Sequence, residues 1–232
     1  MSGPKIVLWD IEIIPNLKEA LKMWTSLSAY PGLTLRASIT SICCVGWKIL
    51  GEDKVHCINA WNFPEWLVDV NDDRRVCEAA YEILKDADCF VTHNGARFDL
   101  KFLQTRLRYH KLPPLPRIHH VDTCRESKKN LFVLNNRLNT VAKFLTDEEK
   151  MENEGWELWI RTHGRDVEAQ DIMSRYCQQD VVTLEAVFHE LRPLITSLPN
   201  ANLFNPMKAN SCPNCGSTRL QSYGKRYTST RA

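Results

Sequence analysis

The sequence predicts an α/β fold, in which strands and helices alternate along one chain. An apolar, β-branched run, Lys5–Leu8, begins close to the N-terminus and is typical of a buried strand. A second short strand, 88–92, is followed by a glycine turn and then by helical spacing over 96–103. Apolar residues also recur every three or four positions over 167–191, which predicts a long helix.

The first half of the chain is expected to supply most of the sheet. The strand that begins at Lys5 should be central, because it is too apolar for an exposed edge. The helix predicted over 71–85 should be capped by Asn71 or Asp72. The other elements predicted in this half are a short helix over 16–24 and two antiparallel strands, 38–50 and 54–61, joined at Gly51-Glu52-Asp53.

The second half is predicted to be mainly helical. Pro113–Pro116 is expected to form a stiff connector, and a helix is predicted over 134–145 before the long last helix. The polar stretch 148–165 is predicted to loop near the functional cleft. We expect its Trp156 and Trp159 to anchor that loop on the core; stacking on nucleic-acid bases is the alternative.

Two carboxylates on the first strand form the first candidate site. Side chains on a strand alternate between faces, so Asp10 and Glu12 should point to one side and Ile11 to the other. Neighbouring carboxylates repel each other, and burying them unpaired is costly. A divalent cation relieves the repulsion, and a site made only of oxygen ligands suits Mg²⁺ or Mn²⁺. The alternative is an edge strand that carries two solvated acids.

Asn94 and Asp99 follow the end of the 88–92 strand. Open α/β sheets usually have their sites just beyond such strand ends. Asp99 is expected near the start of a helix, where its carboxylate could bind a cation. Asn94 could donate a hydrogen bond to a substrate or hold the turn, and the sequence leaves both roles open.

Tyr176 and Asp180 lie four residues apart on the long last helix, so their side chains share one face. A phenol beside a metal-binding carboxylate can hold a water molecule for attack on phosphorus. This spacing is common on ordinary helices and has meaning only together with the other two segments.

The three segments together resemble the DEDD superfamily of 3′–5′ exonucleases. Its members have Asp-x-Glu on a first strand, Asn-x-x-x-Phe-Asp after a later strand and, in the tyrosine subclass, Tyr-x-x-x-Asp on a late helix. The step from Asn94 to Asp99 is most similar to the proofreading domains of B-family DNA polymerases. The resemblance covers about residues 4–192. It implies an RNase H-like fold, with a mixed five-stranded sheet flanked by helices.

The resemblance also implies roles for individual residues. Asp10, Glu12 and Asp180 would hold one magnesium ion, Asp10 would bridge it to a second, and Asp99 would reach the second ion through water. Tyr176 would orient the attacking water. The products would be nucleoside 5′-monophosphates, and single-stranded DNA 3′ ends would be the favoured substrate.

Composition fits one α/β domain with an appendage. The 232 residues suffice for a sizeable domain, which we expect over 1–195, followed by a basic tail over 196–232. Residues 1–190 carry 24 basic and 28 acidic side chains, whereas 191–232 carry six basic and no acidic ones. An acidic body that binds phosphate through metal ions, with a basic tail, fits a nucleic-acid partner. A merely solvated tail is the alternative.

Two basic clusters could guide a nucleic acid to the site, although some of their charges should simply be solvated. They are Lys101, Arg106, Arg108, His110 and Lys111, and then Arg117, His119, His120, Arg125, Lys128 and Lys129.

We expect no signal peptide, because Met1–Pro4 leads directly into the predicted first strand. No apolar run approaches the roughly 20 residues that span a membrane. We therefore expect a cytoplasmic protein (in the host cytoplasm if phage-encoded) without a membrane partner. Its nine cysteines should be reduced.

The tail contains half of a zinc-ribbon pattern, Cys212-Pro213-Asn214-Cys215. A structural zinc site needs four ligands, usually from a second Cys-x-x-Cys about 15 to 20 residues further on. The sequence ends at Ala232, before such a pair. The ribbon is truncated, or two chains share a zinc ion, or the half-ribbon binds nothing. We do not expect zinc in this chain alone, and a protein partner could bind through the tail.

Two other function classes remain open on the sequence. An exoribonuclease similar to RNase D would use the same four acids and tyrosine. A binding module that keeps the fold without catalysis is less favoured, because all five catalytic-type residues are present. A chain without a polymerase region would act alone or beside a partner, as in phage or bacterial DNA degradation, recombination or repair.

Overall fold

The computed structural model of the protein describes residues 4–15, 40–146, 148, 151, 155–196, 198 and 217–221. The described strands form one sheet in the order β3-β2-β1-β4-β5. β1 pairs antiparallel with β2 and parallel with β4, so the sheet is mixed and β1 is central, as predicted. The strands are β1 (Ile6–Pro15), β2 (Thr40–Ile49), β3 (His56–Asn59), β4 (Cys89–Thr92) and β5 (His119–Asp122).

Helices cover both faces of the sheet. Trp9 on β1 faces a core cluster that includes Met173, whereas its neighbour Leu8 faces a second cluster that includes Phe188. The helices are α1 (Pro64–Val68), α2 (Arg74–Leu84), α3 (Asp99–Tyr109), α4 (Thr123–Asn130), α5 (Leu138–Leu145), α6 (Trp156–His163) and α7 (Val167–Leu191). Two short 3₁₀ helices lie at Ala60–Asn62, before α1, and at Arg192–Leu194, after α7. The α/β class and the five-stranded sheet are therefore confirmed.

The polar stretch 148–165 was predicted to be a loop, and this prediction is wrong because it contains α6. Leu158 and Thr162 lie four residues apart on this helix, and both are fully buried. Two buried residues one helical turn apart are too few to show the three- to four-residue recurrence of apolar side chains by which a helix is recognised in sequence. Trp159 packs against the first core cluster, as expected for an anchor.

α5 begins four residues later than predicted, at Leu138. The Asn135 side chain accepts a hydrogen bond from the Arg137 N–H at 3.0 Å, and the Asn136 side chain donates one to the Val133 carbonyl at 3.1 Å. Such local bonds compete with helical ones, and the segment 131–137 accordingly stays outside the helix.

Several predicted features lie outside the described residues: the helix over 16–24, the Cys212 and Cys215 pair, and most of the basic tail. The seven cysteines within the described parts are free thiols, and six of them are buried. Across those same parts, no helix has both the length and the apolar character needed to cross a membrane.

A buried ion-pair network joins the start of α2 to α3. Asp73 is 1% exposed and receives two hydrogen bonds from the Arg106 guanidinium, at 2.6 and 2.7 Å, and one from the Ile42 N–H. His110 contacts the same carboxylate at 2.5 Å. Burial opposes ionisation of Asp73, but the bonds from His110 and Arg106 outweigh it and lower its pKa. Arg106 and His110 therefore do not guide a substrate, which corrects part of the first basic cluster.

Asp73, Cys77 and His110 also present possible ligand atoms within 4.8 Å of one another. The bidentate Arg106 already neutralises the carboxylate, so a cation there would have to displace an existing ion pair. We read the cluster as structural.

Asp73→Asn is expected to lower the free energy of unfolding by about 3 kcal/mol, because it leaves the Arg106 charge buried without its counter-ion. Urea denaturation at pH 7 measures this loss. Asp72→Asn serves as the matched control, because Asp72 lies one residue earlier and only caps the exposed N–H of Arg74. Equal midpoints for wild type and Asp73→Asn would contradict the structural role of the network.

Candidate metal and nucleic-acid site

The close approach of α7 to the sheet brings the candidate residues together. Gly46 on β2 lies opposite Asp10 on β1. A Cβ atom at Gly46 would lie 2.7 Å from the Cys177 carbonyl and 3.0 Å from a methyl group of Val181. Only glycine permits this close contact. The turn of α7 that follows Cys177 therefore lies over β1.

Three carboxylates from two distant parts of the chain meet at this crossing. The oxygen atoms of Asp10, Glu12 and Asp180 all lie within 4.8 Å of one another. Asp180 is 3% exposed, whereas Asp10 and Glu12 are half-buried. Ile11 points to the opposite face and is buried in the core. The ligands are all oxygen, so the cluster fits a hard divalent cation such as Mg²⁺ or Mn²⁺.

Asp99 lies at the first position of α3 and is 3% exposed. Its carboxylate accepts a hydrogen bond from the Ile11 N–H at 3.3 Å, which fixes it beside the strand that carries Asp10 and Glu12. Burial raises the pKa of Asp99 to about 7, and the negative charges of Asp122 and Asp180 add to this effect against the backbone hydrogen bonds. Asp99 therefore adjoins the three-carboxylate cluster without belonging to its closest group of ligand atoms.

Tyr176 lies one turn before Asp180 on the buried side of α7 and is 5% exposed. The Trp159 ring packs edge-on against it, with the ring centroids 5.9 Å apart. α6, which the sequence did not predict, thus fixes the orientation of the Tyr176 ring.

The turn after β4 is built around Asp122, whose role in that turn does not follow from the sequence. Its carboxylate accepts hydrogen bonds from the N–H groups of Asn94 and Ala96, at 2.9 and 3.1 Å, and it also caps α4. Asn94 has a left-handed backbone with φ of 65°, and a Cβ atom at Gly95 would lie 2.2 Å from the Thr92 hydroxyl oxygen. Asp122 is therefore a positioning residue for the turn that presents Asn94.

An open cleft of about 600 Å³ extends from the carboxylates along this turn. Asp10 and Asp180 form one part of its wall, and the side chains of the rest are mainly basic or amide. These are His93, Asn94, Arg97, Lys128, Asn135, Asn136, Arg137 and Asn139, together with Cys124 and Leu138. Arg97 and Arg137 were not singled out in the sequence, because their convergence depends on tertiary structure. A basic cleft that ends in carboxylates can bind a phosphodiester together with a cation.

Comparison with known proteins agrees with this architecture. No curated protein matches the sequence. The solved structure of the family B DNA polymerase from the hyperthermophilic archaeon Pyrobaculum calidifontis is similar, with a TM-score of 0.60 and 16% identity over 87% of this chain. This chain spans 27% of that polymerase, and at such low identity the likeness shows the fold alone. A family model for the RNase_H superfamily matches residues 40–192. The chain therefore belongs to the RNase_H superfamily, whose membership supports a nuclease activity in general.

Proposed function

We propose that the protein is a metal-dependent 3′–5′ exonuclease that releases nucleoside 5′-monophosphates, with single-stranded DNA as its favoured substrate. The main observation that supports this proposal is the meeting of Asp10, Glu12 and Asp180 at the end of a basic cleft. The direction of degradation and the tyrosine subclass rest on the resemblance of the three sequence segments to the DEDD superfamily.

The residues present suit a pair of divalent cations. Asp10, Glu12 and Asp180 would hold one, and Asp99 would support a second that shares Asp10. When bound, such cations supply charge stabilisation for the entering and leaving oxygens and make a water molecule more acidic. Burial raises the pKa of Asp99 to about 7 without a cation, and a bound cation would favour its ionised form.

The chain's own side chains would bind and orient the reactants. Arg97, Lys128 and Arg137 would bind the phosphates of the strand, and Asn94 would hydrogen-bond its terminal nucleotide. Tyr176 would orient the water that attacks the terminal phosphorus. The bond from phosphorus to O3′ of the penultimate nucleotide then breaks. The released nucleotide keeps the phosphate on its 5′ oxygen, and the shortened strand has a new 3′-hydroxyl.

A gel assay tests this proposal on 5′-labelled single-stranded DNA and on RNA of the same sequence, with Mg²⁺ or with EDTA. We expect a ladder that shortens from the 3′ end with Mg²⁺ only, faster for DNA, and lost in Asp10→Ala. A faster ladder on RNA would identify an exoribonuclease. Degradation of neither strand, even with Mn²⁺, would count against catalysis and favour a binding module.

Tyr176→Phe is expected to lower the rate only by about 10- to 100-fold, because it removes one hydrogen bond to the reacting water and keeps every cation ligand. The ring should still pack against Trp159, so the fold should remain. Single-turnover degradation of labelled DNA measures the effect. A loss as large as that of Asp10→Ala would show that the hydroxyl has another role.

A further inference from the structure

The segment 131–137 between α4 and α5 exposes two large apolar side chains to solvent. Phe132 is 97% exposed and Leu134 is 96% exposed, more than any other large hydrophobic side chain in the described parts of the chain. Neither side chain packs in a core cluster. An apolar pair displayed in this way does not stabilise the fold, which points to a role in binding.

The segment is held firmly against the domain. Leu131 and Val133, which alternate with the two exposed residues, are half-buried, and Leu131 packs against the second core cluster. The Asn136 side chain accepts a hydrogen bond from the Ser127 hydroxyl at 2.7 Å and donates one to the Val133 carbonyl. The Asn136 carbonyl also lies 2.8 Å from Nε2 of His93. Phe132 and Leu134 are therefore presented on a fixed support, which limits the entropy lost on binding.

The segment also lies at the rim of the cleft. Lys128, which precedes the segment, and Asn135, which lies within it, both line the cleft that contains Asp10 and Asp180. Lys129 and Arg137 place further positive charge on either side of the apolar pair, and both are exposed. An apolar surface that lies between cationic and amide groups suits a nucleic-acid strand, because the strand has charged phosphates and bases with apolar faces.

We propose that Phe132 and Leu134 form a stacking platform for unpaired bases of the strand that enters the cleft. This inference rests on the proposed function and deepens it, because it makes an unpaired strand with accessible bases the substrate class. Phe132 would stack on a base and Leu134 would support it from the side, while Lys128 and Arg137 bind the adjoining phosphates. Stacking of this kind tolerates any base, as a non-specific exonuclease requires.

Equilibrium binding to fluorescent oligothymidylate tests the platform, by anisotropy, in full-length protein that carries Asp180→Asn so that the strand survives in Mg²⁺. Phe132→Ala is expected to weaken binding about 5- to 100-fold, and Leu134→Ala less. Phe132→Trp should restore wild-type affinity, because it keeps an aromatic face. Phe144→Ala is the matched control, because Phe144 is an exposed phenylalanine (66%) on α5, outside the segment 131–137; it should leave affinity unchanged.

A strand of the same length and charge made of abasic sites separates stacking from other effects. All variants should bind it with equal affinity, because it has phosphates and no bases. Unchanged affinity of Phe132→Ala for oligothymidylate would overturn the inference. Phe132 and Leu134 would then be better explained as a contact for a protein partner. An equal loss on both strands would overturn it as well. Hydrolysis is not measured here, so a chain that binds through Phe132 and never cuts DNA would contradict the proposed function alone.

Discussion

Asp180→Asn is expected to lower the rate of phosphodiester hydrolysis by about 1,000- to 10,000-fold with little change in the melting temperature. Asp180 is the buried member of the three-carboxylate cluster and is supplied by α7, whereas Asp10 and Glu12 come from β1. The amide has the same shape but removes one of the negative charges that would hold a cation. The packing of α7 depends on its apolar residues, so the fold should remain.

Single-turnover degradation of single-stranded DNA at saturating enzyme measures this effect apart from substrate binding. Asp171→Asn is the matched control on the same helix, because Asp171 is exposed and pairs with Arg175 on the surface. We expect wild-type rates for the control. An Asp180→Asn variant that degrades DNA at the wild-type rate in Mg²⁺ would show that the carboxylate cluster is not the reactive centre.

Asp99→Asn is expected to change activity and stability in opposite directions. The pKa of Asp99 is raised to about 7, mainly by burial, from 3.8 for an unperturbed aspartate. The folded protein therefore binds this proton more tightly than the unfolded chain. The contribution of Asp99 to the free energy of unfolding of the cation-free protein therefore falls as pH rises from about 4 to about 7. Asparagine resembles the protonated acid, so the variant should avoid the free-energy cost of burying a negative charge.

At pH 8 without divalent cations, the variant should have a free energy of unfolding on the order of 2 to 4 kcal/mol above that of wild type, and near pH 4 the two should converge. Its nuclease rate should fall by about 100-fold or more, because the support for a cation is lost. Urea denaturation over pH 4 to 8 in EDTA measures the first effect. Asp53→Asn in the exposed β2–β3 turn is the control for removing one negative charge.

Two outcomes would contradict this account of Asp99. A variant less stable than wild type at pH 8 would show that the ionised carboxylate stabilises the fold. A variant with the wild-type pH dependence would show that another group titrates. Mg²⁺ should also raise the melting temperature of wild type more than that of Asp99→Asn, because the variant lacks one of the buried carboxylates whose charge the cation would relieve.

The elements of the fold that repeat a local pattern could be predicted from the sequence. The alternation of Asp10, Ile11 and Glu12 on a strand, and the four-residue step from Tyr176 to Asp180, fix relative directions without tertiary information. These local patterns could not show that the segments converge. The family resemblance implied it, and in the structure the convergence requires the close approach of α7 to β2 at Gly46.

Other features could not be predicted because they depend on distant partners. Asp122 resembles an ordinary strand-end acid until its carboxylate is seen to receive N–H groups from the turn after β4. Arg106 looks like an available basic residue, but Asp73 binds it in the interior. Leu134 was the first residue of the predicted helix 134–145, but the hydrogen bonds of the Asn135 and Asn136 side chains hold it outside α5, where it is exposed.

Identification of the first product tests the central claim most directly. The substrate is single-stranded DNA with one labelled phosphate between its last two nucleotides, incubated with wild type or Asp10→Ala in Mg²⁺. The account predicts that wild type releases the label first as a nucleoside 5′-monophosphate and that Asp10→Ala releases almost none. Label in longer oligonucleotides or in a 3′-monophosphate, or equal release by Asp10→Ala, would contradict a 3′–5′ exonuclease built on these carboxylates.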